Sequence, residues 1–240
     1  MKIAIIGYGK MGKVIHGIAE QRGHEIVATI EKNNVDDMQK DAFRSAEVAI
    51  EFTHPDAAKD NILQCLKVGV PVVVGTTGWL NAMNDIKQAC TEYDGSVFHA
   101  SNFSIGVNVM FRVNKMLAQL MKSHKDYDVT VEEVHHIHKA DAPSGTALTI
   151  VNGILDHLDH KKGWCMAPEI KRDHLQVAAI RRSEVPGTHT VVYESEIDTI
   201  ELKHTAKGRQ GFALGSVVAA EWLPGKKGVF GMDDLLNSNL

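Results

Sequence analysis

The sequence predicts an α/β fold, a parallel sheet covered by helices in its first hundred residues, followed by a second segment of α+β character. Three observations predict it. Short β-branched runs alternate with helical patterns as far as Asn102, the pattern left by parallel strands joined through crossover helices. A glycine-rich turn links the first such run directly to the first helical pattern. Beyond Asn102 the rhythm changes to one long helical stretch and then to alternating β-type residues.

In chain order, strands are predicted at Lys2–Ile6, Glu25–Ile30, Glu47–Phe52 and Pro71–Val74, with a fifth at Val97–Ala100. Amphipathic helices are expected at Lys10–Gln21, Pro55–Val68 and Asn81–Tyr93. The second opens with proline, where the first turn of a helix loses nothing by lacking an N–H. The polar connection from Lys32 to Ala46 has room for one short helix. In the second segment a helix over Val107–Lys122 precedes a strand over Asp128–His135 and a helix starting near Ser144. Residues Gln176 to Lys203 read as antiparallel strands joined by a turn at Pro186-Gly187. A helical tail, Phe212–Leu223, is expected to pack back on the first segment. The predicted division is a discontinuous domain of residues 1–103 with 210–240, and an inserted domain of residues 104–209.

Composition narrows the function classes. The 240 residues, 44% of them hydrophobic, suffice for a substantial core. A net charge of −4, with 26 basic and 30 acidic residues intermixed, provides no basic stripe, so nucleic acid is not an expected partner. Cys65, Cys90 and Cys165 form no CxxC pair and no even framework, which argues against a zinc site or disulfide scaffold and for a reducing cytoplasm. The apolar run before Gly7 is too short for a signal peptide, and none approaches the ~20 residues of a membrane span. Neither export nor a membrane partner is expected.

Gly7-Tyr8-Gly9-Lys10-Met11-Gly12 fits G-x-G-x-x-G between the first strand and the first helix. In a Rossmann-like domain Gly7 permits the tight turn, Gly9 lets backbone approach a pyrophosphate, and Gly12 allows close helix-to-strand packing. Amides at the helix start supply the anion site. Glu31 follows Gly12 by 19 residues, at the end of the second strand, where a carboxylate reaches the adenosine ribose hydroxyls. Lys32 beside it suits a 2′-phosphate, so use of either NADH or NADPH is expected. Two further loops, Glu51-Phe52-Thr53-His54-Pro55 and Gly75-Thr76-Thr77-Gly78-Trp79, fall where parallel strands end and ligands bind. Each reads equally as an ordinary strand-to-helix turn.

Glu132-Glu133-Val134-His135-His136-Ile137-His138-Lys139 leads into Ala140-Asp141-Ala142-Pro143-Ser144-Gly145-Thr146-Ala147. In extended chain His135 and Lys139 share one face, and His136 and His138 the other. His136 and His138 form an H-x-H pair with no third ligand at recognisable spacing, so no metal is expected. Solvated imidazoles at a surface strand end are one remaining reading. The other is an acid site for an anionic substrate: an imidazole near a lysine donates a proton at neutral pH while the ammonium supplies positive charge. Ser144 is a strong N-cap, and the amides of Gly145 and Thr146 behind it point toward any carboxylate placed there.

The run from Glu133 to Ala147 resembles the signature of the dihydrodipicolinate reductases, also called 4-hydroxy-tetrahydrodipicolinate reductases. Gly75–Gly78, Ser101–Asn108 and Gly187-Thr188-His189-Thr190 resemble further family segments in the same order. The resemblance implies a dinucleotide-binding domain closed by the C-terminal tail, and a middle domain that binds substrate and builds a homotetramer. It implies loss of water from 4-hydroxy-tetrahydrodipicolinate and hydride transfer from NADH or NADPH. By motif position His135 would be the acid/base and Lys139 a second proton donor. His136, Lys139, Ser144, Gly145 and Thr146 would hold the substrate carboxylates. The glycine turn from Gly7 to Gly12, Glu31, Lys32, Gly75, Thr76, Thr77, Ala100, Ser101, Asn102 and Phe103 would line the cofactor.

Overall fold

The computed structural model describes residues 1–238; Asn239 and Leu240, the end of the 210–240 segment, lie outside the described residues. The chain forms two compact units, Met1–Ile105 with Gln210–Leu240, and Gly106–Arg209.

The first unit opens with β1 (Lys2–Ile6), α1 (Lys10–Gln21) and β2 (Glu25–Ile30). The polar connection that follows holds a 3-10 turn, Val35–Gln39, and the one-turn helix α2 (Asp41–Arg44). Next come β3 (Val48–Glu51), α3 (Pro55–Lys67), β4 (Val72–Val74), α4 (Met83–Glu92) and β5 (Ser96–His99). The second unit takes α5 (Ile105–Met121), β6 (Asp128–His135), α6 (Gly145–Leu155), β7 (Gly163–Met166), β8 (His174–Arg181), β9 (Thr188–Glu194) and β10 (Thr199–Thr205). The chain then returns to the first unit with α7 (Gln210–Trp222), β11 (Gly228–Phe230) and α8 (Met232–Asn237).

All six strands of the first sheet run parallel, in the order β11-β5-β4-β3-β1-β2. The period of two along each strand feeds two separate cores. Ala4, Ile6, Ala49, Val72 and Val74 face α3 and α4, against Ala58, Ile62, Cys65, Leu66 and Ile86. Ile3, Ile5, Val48, Ile50 and Val73 face α1 and α7, against Ile15, Ala19, Val217 and Ala220. A strand buried on both faces needs apolar residues at every position, which is why β1, β3 and β4 read as continuous runs. The tail is part of this fold. Val217 and Leu223 are fully buried, at about 1.5–3 kcal/mol each. Gly215 lets α7 approach so closely that a Cβ there would collide with the Phe103 carbonyl.

The second sheet is mixed, in the order β10-β9-β6-β8-β7. Here the sequence expectation needs correction. The strands flanking Pro186-Gly187 are not hydrogen-bonded neighbours: β6 lies between them, parallel to β8 and antiparallel to β9. The hairpin is β9–β10. Strand β6 alternates, with Val129, Val131, Glu133 and His135 buried and their neighbours more open. Its apolar positions pack with Met110, Ala118, Ile150, Val151 and Ile154 of α5 and α6, and the buried Asn114 amide donates to the Ile150 carbonyl at 3.0 Å.

One charged group sits inside the first unit. Glu51, at the end of β3, has no exposed surface; the Thr53 hydroxyl donates to it, and Asn61 Nδ2 lies 3.4 Å away. Burial pushes its pKa up, opposed by hydrogen bonds from Thr53, Thr76 and Asn61. The folded-state value therefore lies above the unfolded one, so stability is full below the unfolded pKa of about 4.3 and falls as pH rises through the folded value. Glu51→Gln removes this penalty and is expected to raise the melting temperature by about 3 °C at alkaline pH, with the gain vanishing under acid conditions, in melts recorded across pH.

Candidate active site

In the first unit the predicted ligand-facing residues gather at the C-terminal ends of the parallel strands. Gly7 ends β1 with φ +93°, and a Cβ there would run into the Phe52 carbonyl. A Cβ on Gly12 would strike the carbonyl of Gly7. Gly9 caps α1 with open space around it and no side chain to satisfy the first-turn amides, leaving them to a ligand. Tyr8 is held by its hydroxyl against His16 Nδ1 at 2.8 Å, and Lys10 is exposed.

The loops after β3 and β4 are tied together, the Thr53 amide donating to Thr76 Oγ1 at 2.7 Å and Trp79 Nε1 to the Thr76 carbonyl at 2.8 Å. A Cβ on Gly75 would overlap the Phe52 ring. Met11, Phe52, Thr53, Pro55, Gly75, Thr76 and Thr77 line a pocket of about 270 Å³. Ala100 and Phe103, after β5, are buried, and Phe103 stacks 5.9 Å from Phe52. Ser101 is exposed, and the Asn102 side chain accepts from the Ser104 amide at 2.9 Å. Glu31 and Lys32 are exposed at the end of β2, where the Glu31 amide donates to Asn34 Oδ1 at 2.6 Å.

In the second unit, strand β6 stops at His135 and a turn follows. The Ile137 amide bonds to the Ser183 carbonyl and the Lys139 amide to the His136 carbonyl, both at 3.1 Å. Strand alternation therefore does not place Lys139, which corrects the extended-chain expectation. Its ammonium instead reaches Asp141 at 2.7 Å, a contact that holds the Asp141 carboxyl below its ordinary range. The structure separates the three histidines of the cluster. His135 is buried, His136 half-buried, and His138 exposed at 3.5 Å from Glu184.

His135 packs edge-on to His189 of β9, ring centres 5.1 Å apart. Its Nδ1 stands 3.3 Å from a Glu133 carboxylate oxygen. That carboxylate accepts from the Ser144 amide at 3.0 Å and from Arg181 Nη2 at 3.2 Å. Ser144 caps α6 as predicted, its Oγ accepting from the Ala147 amide at 3.1 Å. Gly145 behind it is exposed, with open space where a Cβ would lie. Burial pushes the His135 pKa down, as do Lys139 and Arg181, while Glu133 and Asp141 push it up. His189 is held to about 4 by burial and by His135, and is neutral at physiological pH.

Ligand atoms of Glu133, His135 and His189 lie within 4.8 Å of one another, close enough for a metal ion. The chemistry of the donor set opposes one. Both Glu133 oxygens already accept from the Ser144 amide, and the guanidinium of Arg181 on Glu133 would repel a cation. Glu133, Arg181 and His189 entered no sequence-based site. Glu133 carried a signal as a charged residue on the inward face of an alternating strand, and His189 as part of a segment resembling the family.

Family models fix the chain's relationships. Residues 1–103 match the N-terminus of dihydrodipicolinate reductase, and residues 106–236 match its C-terminus. A 4-hydroxy-tetrahydrodipicolinate reductase from Christiangramia forsetii is 48% identical over 241 residues, covering 99% of this chain and 98% of the relative. The chain belongs to the dihydrodipicolinate reductase family. It is an oxidoreductase of diaminopimelate and lysine biosynthesis, and its reaction is the nicotinamide-dependent reduction of 4-hydroxy-tetrahydrodipicolinate. A second reductase of that name, from Clostridium novyi, is 34% identical over 245 residues, covering 96% of this chain and 95% of its own. A dipicolinate-bound dihydrodipicolinate reductase from Paenisporosarcina shares the fold, with a TM-score of 0.77 over 96% of this chain and 97% of that one, at 22% identity.

Gly187 closes on the reductase's histidine pair. Its φ is +151°, and a Cβ would lie 3.0 Å from His135 Nε2. Gly187→Ala is expected to lower turnover roughly tenfold or more by displacing the imidazole, while NADH titrations return the wild-type dissociation constant. Wild-type turnover in steady-state assays would count against this placement.

Proposed function

We propose that the reductase uses His135 as its proton donor, beside a carboxylate-binding helix start, with NADH or NADPH held by the first unit. One observation carries this reading: the amide of Ser144, at the start of α6, and Nδ1 of His135 share one buried carboxylate, so acid and anion site adjoin. The bound nicotinamide supplies a hydride. Loss of water from 4-hydroxy-tetrahydrodipicolinate leaves a conjugated imine; hydride added to one of its carbons pushes electron density onto the neighbour, and His135 delivers the proton there. With Nδ1 facing Glu133, Nε2 is the nitrogen assigned to proton transfer.

Lys139 supplies positive charge and a second donor, released from Asp141 when a dianion arrives. The amides of Gly145 and Thr146 and the Ser144 cap would receive one substrate carboxylate, and His136 and Lys139 are assigned to the same dianion. A dicarboxylate fits the dipicolinate that the Paenisporosarcina protein binds. The turn from Gly7 to Gly12 would hold the pyrophosphate, and Met11, Gly75, Thr76 and Thr77, which line one pocket, would hold the nicotinamide together with Ala100, Ser101, Asn102 and Phe103. Glu31 would bond the ribose of NADH, and Lys32 would pair with the 2′-phosphate of NADPH.

The second unit assembles into a homotetramer. Supporting this, Val109, Val113, Met116 and Leu120 lie exposed at helical spacing on α5, and Ile200 is open on the edge strand β10. A cytoplasmic location accords with three unpaired, buried cysteines. No helix among the described residues is long and apolar enough to cross a membrane.

Burial pushes the His135 pKa down in the substrate-free protein. Two carboxylates beside it favour the imidazolium, so substrate recruits the proton it consumes. The alkaline limb of kcat, which reports the substrate complex, is therefore expected at higher pH than that of kcat/KM, which reports the free enzyme. Coincident limbs in pH–rate profiles would refute the recruitment. His135→Gln is expected to cut kcat by about 10²–10³-fold, with little change in NADH affinity. The assay follows NAD(P)H absorbance with freshly condensed pyruvate and aspartate semialdehyde, and surviving turnover would remove His135 as the acid.

A further inference from the structure

The second unit holds a fully buried carboxylate beside the proposed acid, itself given no role in the reaction so far. Glu133 faces inward from β6, and its charge is met by groups from four places in the chain. The Ser144 amide donates to its two oxygens at 3.0 and 3.1 Å, and Arg181 Nη2 of β8 donates at 3.2 Å. His135 Nδ1 stands 3.3 Å from Oε2, and His189 Nε2 of β9 stands 3.8 Å from it.

We propose that Glu133 is a positioning residue of the reduction. Accepting from the Ser144 amide at 3.0 Å and standing 3.3 Å from His135 Nδ1, it fixes the proton donor relative to the carboxylate-binding start of α6 and leaves Nε2 to carry the transferred proton. The inference rests on His135 being the acid.

Two features separate this role from simple core filling. An apolar residue could fill the volume between β6 and α6 but could not accept from the Ser144 amide and the Arg181 guanidinium. The partners of Glu133 include the acid itself and the first residue of the anion site. Glu133 also sets the electrostatics of the imidazole. The charged and titratable groups facing His135 are Glu133 from its own strand, Arg181 from β8, His189 from β9, and Lys139 and Asp141 from the turn. His189 is neutral, Lys139 and Arg181 disfavour the imidazolium, and Glu133 is the buried group that favours it.

Glu133→Gln keeps the shape and removes the charge. Turnover is expected to fall roughly tenfold or more, and the alkaline limb of kcat/KM is expected to move down by about one pH unit, because the proton now leaves His135 more readily. NADH affinity stays at the wild-type value. A merely structural role would lower the melting temperature and leave the limb in place, so an unmoved limb overturns the proposal. His135→Asn, measured alongside, keeps the two readings apart. A limb that persists there removes the acid assignment itself, while a limb lost there but unmoved in Glu133→Gln removes only the positioning role. Should Glu133→Gln fail to fold, Glu133→Asp is read instead. There the charge stays while the carboxylate retracts, so turnover falls roughly tenfold with the limb unmoved; wild-type turnover in that variant overturns the proposal.

Discussion

A carboxylate cut off from water needs hydrogen-bond donors around it, and in the second unit that requirement falls on Glu133. Its hydrogen bonds come from the start of α6 and the end of β8, and the imidazoles of His135 and His189 lie 3.3 and 3.8 Å from it. The sheet order with β6 between β8 and β9 is what brings them together, since Arg181 and His189 flank the strand from opposite sides. Packing of α5 and α6 on the same face then seals the carboxylate from solvent.

The first unit solves a different problem by different means. There the requirement is space rather than charge: backbone must approach backbone at Gly7 and Gly12, and an aromatic ring must lie over Gly75. The glycines act by the atoms they lack. The small face of α7 extends the same principle, because Gly215 admits the Phe103 carbonyl and so places the segment after β5. One unit therefore prepares a surface for a dinucleotide by exclusion, while the other sets a hydrogen-bonded buried carboxylate beside the proposed proton donor.

Much of the first unit was legible because parallel strands buried on both faces leave unbroken apolar runs, and its glycines fall at fixed places in strand, turn and helix. The boundaries of β1, α1, β2 and β6 follow the pattern to the residue. The edge strands β7 and β11 and helix α8 went unread, since four, three and six residues carry too little periodicity to register. The false hairpin has another cause. Alternation reports that a strand exists but not which strand lies beside it, and the insertion of β6 is a non-local choice. Lys139 was misplaced because β-type residues continue past His135, while the turn that ends the strand is held by backbone bonds invisible in composition. Arg181 carried no local signal, for its meaning depends on Glu133 on the neighbouring strand.

The central claim is that the imidazole of residue 135 is the acid that a bound dicarboxylate charges. Nitrogen-15 NMR of the intact protein, titrated through neutral pH with and without pyridine-2,6-dicarboxylate in the presence of reduced cofactor, tests it most directly. The account predicts that the ligand raises the titration midpoint of His135 and that the added proton appears on Nε2. A midpoint that ignores the ligand, while the ligand binds, would contradict it.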